Sequence, residues 1–149
     1  MVKAGQVVDA IRDLQRALEL APNRLEAHAE LARAYMNLGD EAKAMSEWEL
    51  AMPAADTEPS WYAQYGKLLL ENGKALQAKG YLQKAVDAIP EDQEQETYWV
   101  FDAHRNLAIA MGPVRAAIPH WQKFVENRPN SPYAREALDA LTALVARYR

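Results

Sequence analysis

Apolar positions along the chain recur at spacings of three and four, which places them on one face of a helix, and short polar breaks interrupt the pattern. In AYMNLGDEAKAM, residues 34–45, two apolar, helix-favouring segments flank Gly39 and Asp40. Glycine readily takes the backbone conformation that closes one helix, and aspartate can cap the amides that open the next. The break is periodic: Gly5, Gly39 and Gly73 are evenly spaced, with a step of about 34 residues, the size of one repeated supersecondary unit. The same step joins Ala10, Ala44 and Ala78, then Leu14, Trp48 and Leu82, then Ala17, Ala51 and Ala85. Upstream of the glycine, His28, Leu31, Ala32 and Tyr35 are matched one step later by Tyr62, Tyr65, Gly66 and Leu69. The pattern predicts two helices per period and no strands.

This spacing resembles the tetratricopeptide repeat, a helix-turn-helix unit of about 34 residues with large, small and large apolar residues on the first helix and small, large and small on the second. The match is specific over residues 25–92 and partial elsewhere. The resemblance implies an all-α fold, a right-handed superhelical solenoid of antiparallel helix pairs with a C-terminal capping helix. Its expected divisions within one domain, 1–149, are a half repeat at 4–22, repeats at 25–58 and 59–92, an irregular repeat with a long first helix at 93–129, and the cap at 131–149. In that frame Ala32, Gly66, Ala44 and Ala78 sit where the helices of one unit approach closely, and Ala51 and Ala85 where the next unit stacks. Pro22 and Pro90 close second helices, whereas Pro53 arrives early and AADTE forms a link.

Further boundaries follow from local chemistry. Asn23 with Glu26 and Asp92 with Gln95 read as capping boxes, and Ser131 followed by Pro132 as one more helix start. In the irregular repeat, His104, Leu107, Ala108 and Met111 take the first-helix places, while Ala117 and Trp121 continue into the second. Phe124 then stands where alanine stood before, but more than one full period after Ala85. We expect an unusually long helix through QETYWVFDAHRNLAIAM, a shortened turn at Gly112-Pro113, and a kink near Arg115 imposed by Pro119. Ala134, Leu138, Leu141 and Val145 form the apolar stripe expected of the capping helix. Residues 4–20 match a second helix alone, so the stripe of Val7, Ile11, Leu14 and Leu18 is expected to lack its usual cover. Three explanations stay open: a chain cut from a longer protein, a helix that packs differently, or self-association into a homo-oligomer through this helix.

A composition half apolar and 26% charged is that of a globular protein rather than a disordered one. A net charge of −4 provides no global field to collect nucleic acid or anionic membrane. There is no cysteine, and no apolar run approaches the roughly 20 residues needed to span a bilayer. The N-terminal stretch has no signal-peptide pattern. A soluble protein, cytoplasmic or periplasmic, is expected, with the compartment open; the alanine-, leucine- and arginine-rich style looks bacterial.

Arrays of this family hold partner segments in a concave groove lined by the first helices. By that resemblance the groove candidates are Arg33, Met36 and Asn37, then Gln64, Lys67, Leu70 and Glu71, then Arg105, Asn106 and Ile109. Ala29 shares the same expected face. Arg33, Lys67 and Arg105 would form a basic row suited to a protein or peptide segment mixing acidic and apolar residues. The family's heat-shock cochaperones clamp a terminal carboxylate with lysines and asparagines, and Ala29, Arg33 and Gln64 depart from that clamp. Tyr98, Trp99 and Phe101 lie in the inserted part and read either as extra core or as a binding ledge. No enzyme is expected: His28, His104 and His120 match no metal motif, His28 and His104 occupy apolar packing places, His120 reads as a surface residue, and no phosphate loop or catalytic framework appears. No cofactor and no small-molecule substrate are implied. Single-stranded RNA binding by the basic, aromatic C-terminal third ranks below protein binding and self-assembly.

Overall fold

The computed structural model describes residues 3–149. Among these, the chain forms eight α-helices and no strand: α1 Ala4–Leu20, α2 Leu25–Asn37, α3 Glu41–Ala51, α4 Ser60–Glu71, α5 Ala75–Asp87, α6 Trp99–Met111, α7 Ile118–Asn127 and α8 Ala134–Arg147. Single 3-10 turns occur at Met52–Ala54, Glu91–Gln93 and Arg115–Ala117. Two compact units divide the chain, Met1–Trp61 and Tyr62–Arg149.

In the first unit, the break at Gly39 is a Schellman turn. Gly39 has φ 78°, its amide donates to the Met36 carbonyl at 3.0 Å, and the Asp40 amide donates to the Tyr35 carbonyl at 2.9 Å. Asp40 Oδ1 then accepts from the Lys43 amide at 3.2 Å and opens α3. Ala44, Trp48 and Ala51 are fully buried on α3, and the Trp48 and Trp61 rings pack at 6.4 Å. Val7 and Ile11 of α1 are buried against Leu31 and Ala34 of α2, with Leu14, Leu18 and Tyr35 packed around them. The stripe expected to lack cover is therefore covered, because α2 lies against the Val7–Ile11 side of α1. What stays open on α1 is the side of Ala10, which is exposed.

The second unit repeats the turn one period later: Gly73 has φ 77°, and the Lys74 amide donates to the Leu69 carbonyl at 2.9 Å. Gly66 allows α4 and α5 to meet, since a Cβ there would lie 2.6 Å from Leu82 Cγ. Farther along, Phe124 is fully buried among Ala108 of α6, Trp121 of α7, and Ala137 and Leu144 of α8. A phenylalanine fits the former alanine position because alanines stand beside it on α6 and α8.

Four local expectations are corrected. The inserted residues do not lengthen α6, which has 13 residues. Instead, i→i+3 bonds from Gln93 to the Pro90 carbonyl (2.9 Å) and from Glu94 to the Glu91 carbonyl (3.4 Å) tighten this stretch into a 3-10 turn, which brings the Glu94 side chain inward. Pro119 lies in the first turn of α7, where no amide donor is needed, so it opens that helix rather than kinking it. Neither capping box forms: α2 begins without a side-chain cap, and Gln95 Nε2 reaches Asn127 Oδ1 at 2.6 Å. Ser131 Oγ does accept from the Tyr133 amide, 3.2 Å, just ahead of α8. The buried side of α8 is Ala137 and Leu144 with Ala140, Leu141 and Tyr148 beside them; Leu138 and Val145 are exposed. Tyr148 Oη donates to the Pro113 carbonyl at 3.2 Å, which fixes α8 to the α6–α7 turn and sets this rotation.

Candidate partner-binding surfaces

In the first unit, α2 packs on α1 and α3 at once, so only a narrow strip of it faces solvent. Ala29 is fully buried, which removes it from the expected binding face. Arg33 is half-buried with its guanidinium 5.3 Å from the Trp48 ring, and Met36 Sδ accepts from Trp48 Nε1 at 3.5 Å. Trp48 thus holds both the cation and the thioether of this strip in place. Asn37 is exposed beside them. Arg33, Ala34 and Asn37 also wall an open cleft of about 280 Å³ whose other side is Gln6, Val7, Ala10 and Leu14 of α1.

In the second unit, α4 presents an exposed Lys67, with Nζ 3.9 Å from Glu71 Oε1 one turn later. Gln64 and Leu70 are half-buried next to it. On α6, the Arg105 guanidinium lies 4.0 Å from the centre of the Tyr133 ring, and its Nη1 donates to Asn106 Oδ1 at 3.1 Å. Asn106 is buried and so is corrected from a partner contact to a support for Arg105. Ile109 is exposed.

The three inserted aromatics divide. Phe101 is buried in the core, Trp99 is half-buried, and Tyr98 is 64% exposed. A common ledge is thereby corrected to one outward ring, Tyr98, which carries the Arg128 guanidinium at 4.2 Å. Arg128 Nε is buried without a hydrogen-bond partner, 3.5 Å from Asp102 Oδ1, so this cation is held by the ring and by charge.

Each histidine has a structural partner. His28 Nδ1 meets Glu47 Oε2 at 2.6 Å. His120 is corrected from a surface residue to the half-buried member of a pair: its ring stacks on the buried His104 at 5.0 Å, with the two Nδ1 atoms 2.8 Å apart. One ring must donate and the other accept, so the contact suits two neutral imidazoles. Burial, then the neighbouring His120, hold His104 down to about 4 against the opposing pull of Glu94, and burial lowers His120 as well. Glu94 lies 3.6 Å from His104 Nε2, and Lys123 Nζ donates to Glu94 at 2.8 Å and to Glu91 at 2.9 Å. Those carboxylates raise the Lys123 pKa. The sequence offered no signal for this network, because its members come from an irregular insertion and from two helices on the far side of a turn. Among the described residues, no group of three or more His, Asp or Glu side chains is arranged to hold a metal ion. No helix among them is long and apolar enough to cross a membrane.

Residues 1–68 match the family described as tetratricopeptide repeat. No curated protein sequence matches the chain. Among solved structures, MamA is similar at 20% identity, with a TM-score of 0.70 over 97% of this chain and 90% of that one. YrrB, described as a TPR protein with an unusual peptide-binding site, is similar at 18% identity, with a TM-score of 0.72 over 94% of this chain and 78% of that one. An O-GlcNAc transferase mutant from Thermobaculum terrenum is similar at 22% identity and a TM-score of 0.61; 83% of this chain covers 23% of that one. At these identities the likeness is one of fold.

Proposed function

We propose that this chain, whose residues 1–68 match the tetratricopeptide-repeat family and which shares the fold of such proteins over nearly its whole length, is a non-catalytic scaffold that binds an extended partner segment through its first helices. The observation that carries the reading is a recurrence on α2, α4 and α6. Each helix sets a cation one turn before an apolar side chain: Arg33 before Met36, Lys67 before Leu70, Arg105 before Ile109. These cations are braced by Trp48, Glu71 and Tyr133, and bracing reduces the entropy lost when a partner carboxylate is bound. The preferred segment mixes acidic and apolar residues, with arginine able to grip a carboxylate through two donors. The peptide-binding description of YrrB gives the fold a precedent for such a role.

The test is affinity capture from an extract of the source organism, quantified by mass spectrometry, with the chain and its Arg33→Glu, Lys67→Glu variant side by side. A specific partner should be retained by the first and lost by roughly tenfold or more in the second, since breaking close charge pairs at an interface costs about 2 kcal/mol or more. Equal recovery by two equally helical proteins would remove these residues from the binding surface.

A further inference from the structure

Two helices of this chain each display half of one interface. Leu138 follows His104 by one full repeat period, and Val145 follows Met111 by the same step, so α8 repeats the first-helix register of α6. On α6 the His104 place meets the second helix of its own pair, through the contact with His120 on α7. On α8 the same places are open: Leu138 is 49% exposed and Val145 37%. The converse holds on α1. Ala10 and Leu14 lie one period before Ala44 and Trp48, which are fully buried against a first helix, yet Ala10 is exposed and Leu14 only half-buried. The cleft between α1 and α2 opens along this side. It is walled by a second helix and by the first helix of the following unit, the two surfaces that a first helix fills in a repeat.

We propose that α8 of one copy enters the α1–α2 cleft of another, so that Leu138 and Val145 meet Ala10 and Leu14 and rebuild a helix pair of the repeat across the junction. Charge favours the arrangement. The two helices that wall the cleft, α1 and α2, hold three basic and five acidic side chains, whereas residues 134–149 hold three basic and two acidic. The two faces differ, so the contact is heterologous: each copy keeps one face of each kind, and association propagates unless the rotation closes a ring. This goes beyond the partner-binding reading and does not depend on it.

The experiment is sedimentation velocity on the purified chain from micromolar to millimolar concentration, with Ala10→Glu to block the cleft and Leu138→Glu to block α8. Both positions are exposed, and circular dichroism verifies that each variant keeps its helicity. The average mass of the unmodified chain should rise with concentration, each variant alone should stay monomeric, and an equal mixture of the two should form dimers and nothing larger. Because the chain has no cysteine, Ala10→Cys and Leu138→Cys copies supply a second readout. Oxidation should join one kind to the other and neither kind to itself. The proposal is overturned if the unmodified chain is monomeric throughout, if either blocked variant associates as it does, or if Ala10→Cys copies join to each other. Only this chain is present in the assay, so any of these results leaves the partner-binding reading untouched.

Discussion

The α2–α3 and α6–α7 pairs occupy equivalent places in the repeat, yet they are built differently. The first turns through a glycine Schellman motif and a capping aspartate, and its second helix buries Ala44, Trp48 and Ala51. The second turns through Gly112, with φ 78° and ψ −166°, and its amide bonds only within the last turn of α6. It then buries Phe124 where the first has alanine, and adds the polar group of Glu94, Lys123, His104 and His120. The first pair joins its helices by apolar stacking and by the part-buried His28–Glu47 contact. The second adds a larger polar group in which His104 and Glu94 are buried, so burial makes its stability depend on pH.

The largest effects should come from the aromatic that centres each pair. Trp48→Ala and Phe124→Ala should each cost about 3–5 kcal/mol in urea unfolding, as large aromatic truncations in cores do. A loss for Phe124 too small to resolve would move the core of the α6–α7–α8 region elsewhere. Next is acid. The His104 and His120 pKa values lie below that of an unfolded histidine, so on acidification the unfolded chain takes up these protons first. Stability should therefore fall as the pH drops from about 6.5 towards about 4, by on the order of 3 kcal/mol from His104. His104→Leu should flatten that limb of a chemical-denaturation pH series; an unchanged slope would assign the acid sensitivity to other groups. Gly66→Ala should cost about 1–3 kcal/mol, because the added methyl meets Leu82, which is fully buried and cannot move aside. The smallest is a contrast of caps: Asp40→Ala should cost about 1 kcal/mol, while Asn23→Ala should stay within about 0.5 kcal/mol. Equal losses would mean that the Asp40–Lys43 bond contributes nothing particular to the regular pair.

The same contrast explains what could be read from the sequence. Gly39, Gly73, Ala44, Ala51, Gly66 and Ala78 do their work at fixed chain distances, so the regular period exposed the fold and most of its core. Glu94, His120 and Lys123 act on residues that no period links to them; the insertion that turns Glu94 inward looked, in sequence, like an amphipathic extension of α6. The rotation of α8 was hidden for a similar reason. Its apolar residues occupy two adjacent stripes, and the bond from Tyr148 to Pro113 selects the buried one. Side-chain bracing by Trp48 and Tyr133 was equally invisible, although the cations they hold were named from their place on the first helices.

The most direct test of the binding account is amide hydrogen exchange on the chain with and without a captured partner segment. Added protection should concentrate on α2, α4 and α6, the helices that carry Arg33, Lys67 and Arg105, and should vanish in the Arg33→Glu, Lys67→Glu variant. Protection confined to α3, α5 and α7, with the first helices unchanged, would contradict it.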